Sequence, residues 1–428
     1  MRGRPRRHRA VATLSGVVAL IVALAGCAAE DRVEVKGPTQ VEAALPEATV
    51  QQLQDAVTAA MTATGSPGAI VGVWAPWSGT WVTALGTQTP GGGDAVSVDD
   101  EFRAGPVTRA MTCDVLYQVA AAGKVGLDDS VTKWVSGVPD LSDITLRQLC
   151  DGTSGIGSSS GVLMGELLAN PARAWNPREF ASFGLGQNRT SQPGVAWRDS
   201  DAGYILLGLA LERATGESAA TLLNDHVFGP LGMTATSLPD APAAAPGGDG
   251  TALAGYYSPR GGDGVVNCAA PLDITTMSSS SMFTDSGVVT DIQDLGHYVQ
   301  ALAHGSLLPA GTQRLADAKS PFDGAPSWFT TGGGVFQAGS LIGQYGAVPG
   351  YLTAAFSDPD SGLTVAIVLN NSAAGSSVAA ELAWELAAIA SKAPAAAGQT
   401  SPGAGLPWTA EQFRDEVAKA AICAPPAQ

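Results

Sequence analysis

Val50, Leu53, Val57 and Met61 fall three or four residues apart between Pro46 and Thr64, the spacing of one helix face. Gly68 to Pro76 and Thr80 to Gly86 are apolar and β-branched around Trp77-Ser78-Gly79, which predicts a hairpin. Gly91-Gly92-Gly93 comes next as a loop. Thr108 to Gly123 is apolar and helix-like, and Pro106 suits its start, because the first turn has no helical partner for an N–H. Ile144 to Cys150 predicts a short helix, residues 157–200 a loop-rich stretch with brief helices, and Tyr204 to Gly216, Ser218 to Val227 and Asp291 to Ala303 further helices. Residues 238–264 are rich in Pro, Gly and Asp, with low complexity over 241–248, and predict a surface loop. Gly332 to Gly339, Leu341 to Gly346, Ala354 to Asp358 and Leu363 to Asn370 alternate like antiparallel strands. Ser377 to Ala390 has the apolar spacing of a helix that packs on such a sheet, and Glu411 to Ile422 predicts a last helix. There is no internal repeat.

The first residues carry an address rather than a fold. Arg2, Arg4, Arg6, Arg7 and Arg9 precede an apolar run from Ala10 to Ala25, about 16 residues against the roughly 20 that span a bilayer. The run ends in Leu24-Ala25-Gly26-Cys27, which resembles a bacterial lipobox, in which the Cys is diacylated and becomes the mature N-terminus. The expected organisation is a signal peptide over 1–26, a tether over 27–45, a globular domain over 46–391, an Ala/Pro/Gly linker over 392–407 and a C-terminal helix and tail over 408–428. The alternative is an uncleaved anchor with an incidental Cys27.

Removal of the signal changes the charge. It carries five arginines and no acid, so basic residues fall from 23 to 18 against 39 acids, a net charge near −21. That excess argues against a nucleic-acid partner and against extra binding to anionic lipid, leaving the acyl chains as the membrane contact. The expected location is the outer face of a bacterial cytoplasmic membrane. Cys113, Cys150, Cys268 and Cys423 remain, and an exported even set points to two disulfides in one of three pairings, against a reading as free buried thiols. No C-x-x-C occurs and His8, His226, His297 and His304 do not cluster, so no metal and no cofactor is expected.

An ordered set of motifs runs through the chain. Ala121-Ala122-Gly123-Lys124-Val125-Gly126-Leu127-Asp128-Asp129 leads to Ile144-Thr145-Leu146-Arg147-Gln148-Leu149-Cys150 and Thr153-Ser154-Gly155-Ile156. Pro193-Gly194, Trp197 and Gly203-Tyr204-Ile205-Leu206-Leu207-Gly208 come after, then Phe228-Gly229-Pro230-Leu231-Gly232-Met233, Pro349-Gly350-Tyr351 and Asp358-Pro359-Asp360-Ser361-Gly362. In this order, over roughly residues 50–391, the set resembles the serine β-lactamases and penicillin-binding proteins, with their class C, D,D-peptidase and esterase relatives. The resemblance implies an α+β fold: an antiparallel sheet built from both chain ends, flanked by helices, with a mostly helical lobe inserted between them. It also implies that Cys113 and Cys150 sit on helices flanking one cleft and pair, which leaves Cys268 with Cys423.

The same resemblance locates the chemistry, and the chemistry is gone. Phe102-Arg103-Ala104-Gly105-Pro106-Val107-Thr108-Arg109 stands where the family reads F-x-x-G-S-x-x-K. Pro106 replaces the nucleophilic Ser and Arg109 the Lys that takes its proton; a guanidinium stays protonated and is no base. Asp199-Ser200-Asp201 replaces Tyr-x-Asn, Gln344-Tyr345-Gly346 replaces Lys/His-x-Gly, and Gly152 replaces the His of the HTSG motif. Proline also lacks the N–H that would be one oxyanion donor, leaving only that of Ala347. Losing one donor costs roughly 10²–10³ in rate, and losing the nucleophile or its base roughly 10⁶. No mature lysine (36, 124, 133, 319, 392 and 419) falls on a catalytic motif position. Arg109 is expected either to pair with Asp199 or Asp201 across the old site or to stand with both as solvated rim charges.

The sequence therefore implies a lipid-anchored envelope protein without acyl-transfer chemistry, binding a peptidoglycan fragment, a peptide or a partner protein in a cleft lined by Arg109, Asp199, Asp201, Tyr345 and Ala347. The alternatives are an active serine hydrolase with a relocated nucleophile, drawn from Ser154, Ser200 or Ser278 to Ser281, and a structural protein with a filled cleft.

Overall fold

A computed structural model describes residues 32–138, 141–239, 246, 251–403 and 405–423. The signal peptide, Cys27, the first part of the tether, most of the low-complexity run over 241–248 and the tail beyond Cys423 lie outside the described residues.

Eight strands form one antiparallel sheet: β1 (Gly68–Ala75), β2 (Gly79–Thr89), β3 (Gly92–Ala95), β4 (Phe329–Gly332), β5 (Val335–Ala338), β6 (Leu341–Val348), β7 (Tyr351–Ser357) and β8 (Thr364–Leu369). Their spatial order is β3-β2-β1-β8-β7-β6-β5-β4. The two chain ends meet where β1 pairs with β8, Ile70 opposite Val368. β1, β7 and β8 are apolar runs buried almost throughout, because helices cover both faces of the sheet. On one face lie α1 (Glu47–Thr64) and, from the chain end, α8 (Ser377–Ala390) and α9 (Ala410–Lys419). On the other lies α7 (Ile292–Ala303), beside the inserted lobe of α2 (Val107–Ala121), α3 (Leu146–Cys150), α4 (Ser159–Ala169), α5 (Pro177–Leu185) and α6 (Asp201–Thr215). This is the α+β architecture expected.

Three segments differ from the sequence reading. The strand expected over 332–339 spans only Val335–Ala338, as β5, and an unexpected strand, β4, precedes it: Gly333 and Gly334 adopt φ of 57° and 76°, turning β4 into β5. The expected tether docks from Val33 onward, where its N–H donates to Pro230 O at 2.9 Å, and Ala44 bridges to Thr80. The expected linker is also fixed to the domain: Ala393 is buried, the Trp77 indole N–H donates to its carbonyl at 3.0 Å, and the Ala396 N–H donates to Trp77 O at 2.8 Å. Val33 and Val35 pack against the core and Leu45 and Ala393 are buried, so a few apolar contacts join the backbone pairings without forming an extended periodic face.

α2 positions the site and is buried on nearly every side, which is why its apolar residues show no single face. Beneath it the buried Arg314 guanidinium pairs with Asp114 of α2 and donates to Gly333 O at 2.6 Å. Tyr298 of α7 donates to Asp114 Oδ2 at 2.8 Å. A disulfide joins Cys113 to Cys150, with Cα atoms 5.6 Å apart, so α2 and α3 are cross-linked beside the cleft. Cys268 and Cys423 pair likewise at 5.8 Å, closing a separation of 155 residues and holding the segment after α9 against α1, where the Ile422 N–H donates to Ala63 O. α9 also closes an aromatic cluster over the sheet, in which the Trp384 ring stands 5.8 Å from Trp408 and 5.1 Å from Phe413.

Candidate functional site

The chain enters α2 through Gly105, whose φ of 57° is open to glycine at little cost, and Pro106, whose φ of −60° suits a helix start. The proline ring lies against β6. A methyl group at Gly346 would stand 2.3 Å from Pro106 Cγ and 2.8 Å from its Cδ. The ring thus fills the space between helix start and strand, and it brings neither a hydroxyl nor an N–H.

Arg109, one turn on, is 7% exposed. Its Nη1 donates to Asp199 Oδ1 at 2.6 Å and its Nε to Asp285 Oδ1 at 2.7 Å. The guanidinium carbon stands 4.9 Å from the centre of the Tyr204 ring. Asp199 is thus the partner Arg109 finds. Asp201 is directed elsewhere: its two oxygens accept the N–H groups of Ser159 and Ser160 at 2.6 and 2.7 Å, at the start of α4. Ser200 caps α6, accepting from Gly203 N at 3.1 Å. Asp285 is a partner that sequence reasoning misses. It lies in the short helix Phe283–Ser286, two residues after Phe283, the one non-glycine residue with positive φ among the described residues. No motif marks it; the preceding run Ser278 to Ser281 is the nearest signal.

Burial pushes the Asp285 carboxyl up to about 6, against the opposing pull of Arg109. Burial also opposes the charge on Arg109, and the carboxylates of Asp199 and Asp285 outweigh it, so its pKa stands above the ordinary value.

The remaining motif positions have structural work. Gln344 is buried; its Nε2 donates to Gly334 O at 2.8 Å and its Oε1 accepts the Tyr345 N–H at 2.8 Å, bracing the β4–β5 turn. The Tyr345 ring lies 4.8 Å from Phe336 and lines the cleft with Gly346 and Ala347. Beside Gly152 (φ 67°) stands the Trp197 indole, 2.5 Å from where a side chain would begin. Ser154 is buried and accepts the Ile156 N–H at 3.3 Å, Ser278 accepts the Ser280 N–H, and Ser280 accepts the Trp175 N–H at 2.8 Å. Ser281 and Ser286 line the cleft; Ser286 donates to Asp285 Oδ2. The cleft encloses about 210 Å³, its charged lining is Arg109, Asp199, Asp201 and Asp285, and neither Lys nor His lines it among the described residues.

A folded-state pKa raised from 3.8 to about 6 gives Asp285 a defined effect on stability. The folded chain holds this proton more tightly than the unfolded one, so the contribution is fully present below about pH 4 and is lost as pH rises through about 6. Urea unfolding of the wild type and of Asp285→Asn should show the variant gaining relative stability between pH 4 and 6, by up to about 1.4 kcal/mol per pH unit. A difference that stays constant with pH would contradict this assignment.

The comparisons with known proteins agree with this geometry. Residues 53–389 match the family model described as Beta-lactamase. Penicillin-binding protein 4 of Amycolatopsis lactamdurans is 30% identical over 155 residues, covering 35% of this chain and 39% of that protein. Esterase EstB of Burkholderia gladioli is 31% identical over 152 residues, 32% of this chain and 38% of its own. The alignments thus span little more than a third of these curated relatives. A D-stereospecific amidohydrolase from Streptomyces superposes with a TM-score of 0.64 at 25% identity, covering 76% of this chain and 94% of that one. The D-amino acid amidase of Ochrobactrum anthropi, in complex with L-phenylalanine amide, does so with a TM-score of 0.64 at 20% identity, covering 76% and 92%, and shares the fold. With a family match over residues 53–389 and a fold shared over about three quarters of its length with these solved structures, the chain belongs to the β-lactamase family.

Proposed function

We propose that this protein binds a ligand in the family cleft without acyl transfer, and that the ligand is a peptide or a peptidoglycan fragment. One observation carries the reading: Pro106 brings no hydroxyl and no N–H to the nucleophile position, and Arg109 beside it is held by two carboxylates. A charged guanidinium so engaged accepts no proton. The cleft beside them is open, which favours binding over a filled scaffold. The amino-acid amide held by the Ochrobactrum amidase supports a ligand of peptide character. One observation favours a second reading, a relocated nucleophile: the Ser286 hydroxyl lies in the cleft against Asp285, a carboxyl shifted toward neutrality.

In this reading the protein is exported and held on the outer face of the membrane by acyl chains on Cys27. The basic, then apolar N-terminus and its lipobox-like end support this. No helix among the described residues is long and apolar enough to cross a membrane.

Two measurements test the proposal. Incubated with excess benzylpenicillin and a fluorophosphonate, the full-length protein should keep its intact mass. A covalent adduct would overturn the binding reading, and peptide mapping would show whether Ser286 carries it. In a bacterial host that processes lipoproteins, the protein should take up labelled palmitate and sediment with membranes, and Cys27→Ser should abolish the label. A labelled Cys27→Ser variant would refute the anchor.

A further inference from the structure

The charges and walls of the cleft specify more than an open space, and the ligand chemistry they select rests on the binding reading above. One cation, Arg109, faces three carboxylates, those of Asp199, Asp201 and Asp285. Arg109 gives Nη1 and Nε to two of them. Both Asp201 oxygens are taken by backbone N–H groups. Asp285 is buried, with Oδ1 on Arg109 and Oδ2 on Ser286. Only Asp199 remains open: its side chain is 60% exposed, and its Oδ2 has no hydrogen bond among the described residues.

Four aromatic residues line the same cleft as that carboxylate. Phe180, Trp197, Phe336 and Tyr345 line the cleft, with Trp197 5.4 Å from Phe336 and Phe336 4.8 Å from Tyr345. Aromatic faces attract a cation, and the surplus carboxylate repels an anion. About 210 Å³ is below the usual 300–1,000 Å³ of a pocket that encloses a whole ligand. It suits one side chain or one chain end.

We infer that the cleft takes the primary ammonium end of a ligand, carried on a short apolar stem as in a lysine side chain, with the ammonium on Asp199 Oδ2 and the stem against the aromatic wall. Three independent features meet here: an open carboxylate, an aromatic wall and a cavity of side-chain size.

The probe is the peptide L-Lys-D-Ala-D-Ala, acetylated at its α-amine and carrying a free ε-ammonium, compared with its Nε-acetyl form by titration calorimetry on the full-length protein at pH 7. The free ammonium form should bind at least ten-fold more tightly. Asp199→Asn should remove most of that preference and Asp199→Glu should retain it; because Asp199 also pairs with the buried Arg109, binding is measured at a temperature well below the thermal midpoint of each variant. Equal binding of both peptides would overturn the ammonium assignment and leave the binding reading standing. A preference that survives in Asp199→Asn would overturn the role of Asp199. Binding of neither peptide would overturn the binding reading itself, and this inference with it.

Discussion

A guanidinium that cannot give up its proton stands between two carboxylates, and the cleft is arranged around that contact. Arg109 comes from α2, Asp199 from the loop before α6 and Asp285 from the short helix before α7. Three segments distant in sequence are therefore tied at one point. Arg109 and Asp285 are both buried, so neither charge is well served by water. Taking one partner from a buried pair leaves the other uncompensated, at about 3–5 kcal/mol. A permanent cation buried at Arg109 needs acidic groups facing it, and Asp199 and Asp285 supply them. Asp199 is the exposed member, with one oxygen on Arg109 and the other without a hydrogen bond among the described residues.

The frame around this contact does not depend on it. Arg314, Asp114 and Tyr298 anchor the far side of α2, Gln344 braces the β4–β5 turn, and the Cys113–Cys150 bond fixes α2 to α3. Pro106 serves this frame as well, because its φ suits a helix start and its ring packs where Gly346 leaves room. The family match over residues 53–389 is a match of frame, and the ligand is argued from the cleft.

Much of this frame is legible in the sequence because its elements carry strong local signals. α1 shows helical spacing, the β1–β2 hairpin is β-branched on both arms, and the motif set keeps its order. β4 is not legible, because Phe329-Thr330-Thr331-Gly332 is short and carries little apolar signal, and only the positive φ of Gly333 and Gly334 reveals the turn after it. The docked stretches at 33–45 and 393–396 escape a sequence reading because scattered apolar contacts and backbone hydrogen bonds hold them, without an extended periodic face. In the site, the motif register places Arg109 and Asp199, whereas Asp285 stays hidden, since nothing local marks a residue whose role comes from tertiary packing. Asp201 lines the cleft as expected, but its bonding to the start of α4 stays hidden for a related reason, since only the folded lobe defines where α4 begins.

The central claim is that Arg109 and Asp285 hold each other in place. A double-mutant cycle in urea unfolding, with Arg109→Met, Asp285→Asn and the two combined, measures this directly. Arg109→Met alone should be costly, because it strands the Asp285 carboxylate at neutral pH, and adding Asp285→Asn should recover part of the loss, with a coupling of about 1–3 kcal/mol. Losses that simply add would mean the pair is incidental, and the cleft would need another organising contact.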